Sequence, residues 1–203
     1  MRNSRLIKLM LTTITLIALL MVFSQSVLAD SEVLVDQENY CNEPAATPGD
    51  PSFSRMYSDQ TILGYGCQLT SGNQLAEIFT LEEDEQIGSI ELFAYQTGST
   101  TTSTFTGAYV AIYDGNPMTG GNIIWGDMTT NRIGNSDFTG CYRVTSDSSS
   151  LDRPIMRIVA NVNTTLEAGT YWFAFMLDGS LVSGPWGVPS MLASATTPGT
   201  AIQ

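Results

Sequence analysis

An all-β fold is predicted by three observations. Charged residues are only 14% of the chain against 43% apolar, with one Lys among 203 residues. No stretch keeps a 3.6-residue apolar period over three turns. Short runs of alternating apolar and polar residues recur instead, separated by Gly, Pro and Asp clusters. Eight such runs are candidate strands: 74–81, 88–96, 106–113, 122–128, 138–145, 155–162, 169–177 and 186–193. Each is bounded by a segment with a physical reason to bend. DGNPMTGG at 114–121 holds glycines that accept positive φ and a proline that cannot join a ladder, and EAGT (167–170) and DGS (178–180) bracket YWFAFML. That many short strands predict a two-sheet antiparallel sandwich, jelly-roll-like in topology, with an immunoglobulin-like Greek key as the alternative.

Three regions are expected. Residues 1–29 read as a signal peptide: Arg2, Arg5 and Lys8 precede the apolar run LMLTTITLIALLMVF, and SQSVLA ends with Val27 and Ala29 at the small-residue positions before cleavage. The run is shorter than the ~20 residues needed to span a bilayer, so no membrane insertion is expected after cleavage. Residues 30–60 are read as mostly irregular, with room for one strand before Thr61–Tyr65, and 61–203 as the sandwich. The last residues, SATTPGTAIQ, stop where a new strand would begin, which reads as a truncated domain. The expected location is secreted or cell surface.

Charge and missing residue types exclude several functions. Beyond Ala29 there are five Arg (55, 132, 143, 153, 157), no Lys and all 20 acids, a balance of −15. With no His there is no Ser-His-Asp triad, no Cys-His pair and no imidazole ligand for a metal. A body without Lys has no Schiff-base or phosphate-loop lysine. An acidic surface with five cations does not hold a nucleic-acid backbone. Three Cys (41, 67, 141) are an odd number for an exported chain. Cys41 and Cys67 both lie in turn-rich stretches, so a Cys41–Cys67 disulfide is favoured, with Cys141 buried in its strand as a small hydrophobe.

Strand alternation supplies the functional expectation. Ile90, Leu92 and Ala94 share one face, as do Ala108, Val110 and Ile112, and Tyr171, Phe173, Phe175 and Leu177; these form the expected core. The opposite faces carry Phe93, Tyr95, Tyr109, Tyr113 and Trp172. Tyr109 and Tyr113, four residues apart, stand about 13 Å apart on one face, near the spacing of sugar rings in an extended glycan. Tyr95, Tyr109, Tyr113 and Trp172 are therefore candidate ligand-binding residues for a glycan or cell-surface polymer. The competing reading is that loops or residues 30–60 cover these rings.

Other motifs carry less. The acidic run 82–85 and Asp114-Gly115-Asn116 are calcium candidates, but a solvated turn and an Asx-type turn explain them more simply, and no metal site or cofactor is assigned. Glu77 and Glu91 are the acids set within strands that a carboxylate-only glycoside hydrolase would use. The tract TGSTTTSTFTG (97–107) reads as a polar loop, and Asn163-Thr164-Thr165 matches the N-glycosylation pattern.

Two segments, FAYQTGSTTTSTFTGAYVAIYDGNPMTGGNIIWGDMTTNR (93–132) and RPIMRIVANVNTTLEAGTYWFAFMLDGSLVSGPWGVP (153–189), resemble β-sandwich domains of large exported, largely uncharacterised bacterial surface and extracellular proteins. The resemblance lies in strand-and-turn patterning and includes no catalytic signature. It implies an extracellular accessory domain rather than an enzyme, and it transfers no functional residue. The resulting expectation is a non-catalytic binding or surface-interaction module with carbohydrate as the favoured ligand. A structural component of a surface or matrix assembly is the first alternative, and the carboxylate-only hydrolase the second.

Overall fold

A computed structural model describes residues 40–189 and 202–203. The expected signal peptide, the start of the 30–60 segment and residues 190–201 lie outside the described residues. Ten strands form: β1 Ser52–Arg55, β2 Tyr65–Gly66, β3 Leu75–Leu81, β4 Glu85–Tyr95, β5 Phe105–Tyr113, β6 Ile123–Asp127, β7 Ile133–Val144, β8 Pro154–Leu166, β9 Gly169–Gly179 and β10 Trp186–Gly187. All eight expected runs contain strand, because a period-2 pattern buries one face only in extended backbone.

The strands make a six-stranded sheet, β1-β7-β8-β4-β10-β2, and a four-stranded sheet, β3-β9-β5-β6. The succession β2-β10-β4-β8 against β3-β9-β5-β6 is the strand order of a jelly roll, with β7 and β1 added beyond β8. The pairing is antiparallel except that β1 runs parallel to β7, Ser52 opposite Cys141. β1 falls within the stretch expected to be mostly irregular.

The core between the sheets uses the expected inward faces. Leu92, Ala94, Ala108, Val110, Ile158, Ala160 and Leu177 form one cluster, with Phe173 and Phe175 packed against it. Leu81, Ile87, Ile112, Val162 and Leu166 form a second, joined by Phe79, Trp125 and Tyr171. Inner rings pack on one another, Phe79 lying 5.7 Å from Tyr171 and 6.1 Å from Phe173.

Residues 40–66 supply β1 and β2, the two ends of the six-stranded sheet, and the rest of them forms a strap that packs on its outer face at Tyr40 and at residues 62–64. Asn42 bonds both backbone groups of Arg55, and the Arg55 guanidinium reaches Glu43 and the Ser148 carbonyl. Tyr40 stacks on Phe93 at 4.4 Å. Arg143 on β7 is fully buried beneath this strap and donates to the carbonyls of Ser54, Ile62 and Leu63 and to the Ser54 hydroxyl.

The disulfide joins Cys41 to Cys141, across 100 residues with a Cα–Cα distance of 6.3 Å, and Cys67 is the free, buried thiol. This corrects the expected Cys41–Cys67 pair. The parallel pairing of β1 with β7 carries the strap to the start of CYRVT, whereas Cys67 enters the inter-sheet core beside Leu75 and Leu177. Loop proximity in sequence was outweighed by burial of the one thiol that fits the core.

Candidate functional site

The four-stranded sheet leaves an outer face whose composition follows from its register. On that face Tyr113 of β5 lies opposite Trp172 of β9 and Ile123 of β6, and Trp172 lies opposite Ile78 of β3. The next level is made of small residues, Gly126, Ala111, Ala174 and Ala76 in succession across all four strands. Beyond it Tyr109 faces Met176. At the other end Thr80 and Thr170 share a 3.0 Å hydroxyl hydrogen bond. Asp178, opposite Gly107 beyond Tyr109, is the one charged strand position on this side among the described residues, in a chain with 20 acids.

The small residues determine how the rings lie. Gln74 donates to the Tyr113 hydroxyl at 3.4 Å. Since Gln74 immediately precedes β3 and Tyr113 ends β5, the tyrosine crosses β9 over the alanine level, and Ala111 and Ala174 are fully covered. Tyr109 folds the other way. A Cβ on Gly107 would come within 2.8 Å of its Cε2 and 3.0 Å of its hydroxyl, so the ring lies on that glycine. A ring resting flat on a sheet keeps one π-face against protein and turns the other to solvent. Tyr109, Tyr113 and Trp172 are all half-buried, and none of them stacks on another aromatic ring among the described residues. Gly126, at φ +78°, sits where a Cβ would collide with the Val110 carbonyl oxygen, which keeps β6 close against β5 at this level.

At the β3 side the face opens into a cleft of about 330 Å³, lined by Asn73, Gln74, Ala76, Tyr113, Met118 and Gln203 among others. Ile202 forms its far wall by pairing with Ala76 through two 2.9 Å backbone hydrogen bonds. Met118 and Ile123 are 69% and 51% exposed, so the hairpin end of the face is apolar and open.

Tyr95 does not belong to this site, which corrects its place among the four candidates. It lies on the six-stranded sheet and is 2% exposed, enclosed by Trp186 on the paired β10 and by the strap at Gly64. Burial pushes its phenol up to about 12 despite the attraction of nearby Arg143. Its neighbour Phe93 is capped by Tyr40. Among the described residues the covering expected from residues 30–60 therefore falls on one sheet, while Tyr109, Tyr113 and Trp172 share the outer face of the other.

The remaining candidates serve the fold. Glu91 points from the outer face of the six-stranded sheet and pairs with Arg157 at 3.1 Å. Glu77, opposite Phe173 on β3, shares the inward side of the four-stranded sheet. A sheet thus separates the two carboxylates, and they make no catalytic pair. In the acidic run, Asp84 accepts the Ala168 amide at 2.9 Å and joins the β3–β4 turn to the β8–β9 turn. Asp114 accepts from the Asn122 amide and side chain, closing loop 114–122, and these bonds hold its carboxyl below the ordinary range. Among the described residues no three His, Cys, Asp or Glu side chains converge on a metal position, and no helix is long and apolar enough to cross a membrane.

Sequence reasoning missed Asn73, Gln74, Met118, Gln203 and the small-residue level. All four residues lie in loops or at the chain end, where alternation says nothing. The alanines look like ordinary strand filler until the register aligns them.

Comparison with protein-family models, with curated proteins and with solved structures gives no match.

Proposed function

We propose that this protein is an exported, non-catalytic binding module that engages carbohydrate through the outer face of its four-stranded sheet. The observation that carries the reading is the face on which Tyr109 and Tyr113 lie flat beside Trp172, each without an aromatic partner among the described residues, with Asp178 beyond Tyr109 as its one charged strand position among them. A pyranose presents an apolar C–H face that packs on such rings, while its hydroxyls need amide and hydroxyl partners of the kind found at Asn73, Gln74 and Thr80. An apolar exposed patch rimmed by polar groups is a common mark of a binding surface. The Cys41–Cys141 disulfide fits folding in an oxidising compartment, in keeping with secretion or display at a cell surface.

A glycan array followed by titration calorimetry tests this. Wild type is expected to bind at least one neutral glycan class, with Trp172→Ala and Tyr113→Ala each weakening it by about tenfold or more while thermal unfolding moves little. Absence of binding by wild type across the array, or binding indifferent to both substitutions, refutes the reading.

A second reading, a structural component of a surface or matrix assembly, is favoured by a separate observation. Among the described residues β6 is an edge strand of its sheet, and Ile123, Ile124 and Met118 are 51%, 45% and 69% exposed. An apolar edge of this kind pairs readily with another chain. Concentration-dependent association in sedimentation, abolished by Ile124→Lys, would support assembly over glycan contact.

A further inference from the structure

We infer that the outer face of the four-stranded sheet binds the interior of a linear glycan chain, about four or more units long, at two separated stacking points. The inference rests on the carbohydrate reading above and names the ligand class of the same face. A single sugar or a chain end would use only part of it.

The aromatic side chains of this face fall into two groups. Tyr113 and Trp172 are register partners on neighbouring strands and make one stacking point. Tyr109 makes the other, earlier on β5 by roughly 13 Å of extended backbone. The two tyrosines turn in opposite senses, Tyr113 across β9 toward Gln74 and Tyr109 back onto Gly107. On β5 and β9 the outward positions between the two points are Ala111 and Ala174, both fully covered, so no third ring links them.

That separation makes chain length the discriminating property. A mono- or disaccharide stacks at one point and leaves the other in water. An extended chain of about four units reaches both. Once its first contact forms, the second is intramolecular and takes place at the high effective concentration set by the chain itself. Two weak stacking contacts then add, and affinity climbs steeply between short and long members of one series.

The ends of the line determine that an interior stretch is held. Beyond Trp172 the next outward pair is Thr80 and Thr170, both exposed, with their hydroxyls 3.0 Å apart. Beyond Tyr109 the next pair is Gly107 and Asp178. Neither pair raises a bulky side chain across the path, whereas recognition of a terminal sugar needs a concave site that encloses it. The chain therefore runs on past both stacking points, and the two threonine hydroxyls can hydrogen-bond the unit that follows Trp172.

The test measures tri- and hexasaccharides of the cello, manno, xylo and laminari series by titration calorimetry or NMR. Each hexasaccharide is also measured with its reducing end converted to the alditol. Wild type, Trp172→Ala, Tyr109→Ala and Tyr109→Phe are compared. At least one hexasaccharide is expected to bind about tenfold or more tighter than its own trisaccharide, and the alditol to match it within about twofold. Trp172→Ala should weaken both lengths. Tyr109→Ala should remove the gain of the hexasaccharide while leaving the trisaccharide unchanged, and Tyr109→Phe, which keeps a ring in place, should restore that gain. Unfolding midpoints close to wild type confirm that the variants are folded. Suppose binding depends on Trp172, but the two lengths bind equally, or Tyr109→Ala is silent, or the alditol fails to bind. Any of these outcomes overturns the two-point site and leaves the carbohydrate reading standing. If no sugar of any series binds, both fall together.

Discussion

Single residues in this protein act mainly through burial. Cys67 is fully enclosed in the core, and desolvation pushes its thiol up to about 12. A buried thiol raised this way stays protonated at pH 8, so iodoacetamide is expected to modify Cys67 only after denaturation. Rapid labelling of the native protein at this cysteine would contradict its placement. Tyr95 is raised for the same reason, also to about 12. Both groups bind their protons more tightly folded than unfolded. Their contribution to stability is therefore complete below the unfolded values, near 9 for the thiol and 10 for the phenol, and declines as pH rises toward 12. Thermal unfolding followed from pH 8 to 11.5 should show a falling midpoint above pH 9, smaller in Cys67→Ala. Asp127 has the opposite sign. Hydrogen bonds from Thr129 and Thr130 hold its carboxyl well below the usual range, so this loop keeps its charge, and its bonds, in mild acid.

Elements are joined by a few side chains that close backbone accounts left open by loops. Residues 57–64 supply no ladder, yet their carbonyls must be satisfied where they cross the sheet. Arg143 does this for Ile62 and Leu63 while also holding Ser54 at the parallel β1 edge. Replacing it by Leu would leave several buried carbonyls without donors, and a loss on the order of 3 kcal/mol is expected in urea unfolding. Because the strap lies on the six-stranded sheet, Arg143→Leu should leave the proposed glycan binding at the other sheet nearly intact below the unfolding transition. A parallel loss of binding and stability would indicate that the two faces are coupled. On the four-stranded sheet the corresponding device is the row Gly126, Ala111, Ala174 and Ala76, whose small size lets Tyr113 lie down across β9.

At the scale of the whole molecule, the Cys41–Cys141 bond ties the strap to the sandwich across 100 residues. In the chain-entropy model a loop of that length is stabilised by about 4–5 kcal/mol, an upper figure because the strap keeps its hydrogen bonds when reduced. Non-reducing peptide mapping should find Cys41 linked to Cys141, and Cys41→Ser with Cys141→Ser should lower stability by up to about that amount. A linked Cys67 peptide would refute the pairing. The sandwich itself is dominated by pairings between distant segments, such as β1 with β7 and β3 with β9, a topology that folds slowly because long loops close before their contacts form.

The amino-acid sequence alone determined the fold class and which side of β4, β5 and β9 turns inward. Alternation is a local property, and burying one face of an extended chain is enough to enforce it; Val110, Leu92 and Phe173 lie where a period of two puts them. It also brought Tyr109, Tyr113 and Trp172 to notice, as large rings on faces that should have been polar. Only the tertiary structure decided the rest. Whether an outward ring is covered depends on where a remote segment lies, so Tyr95 is buried beneath residues 40–66 and Phe93 is capped by Tyr40, while Tyr109, Tyr113 and Trp172 lie on the other sheet. Which thiols meet depends on strand neighbours, and the parallel β1–β7 pair brings Cys41 to Cys141. The cleft assembles residues 73, 74, 113, 118 and 203, which share a wall only because Tyr113 of β5 reaches across β9 to the β3 edge, where Ile202 pairs with Ala76. These outcomes rest on long-range register, and no window of local sequence contains it.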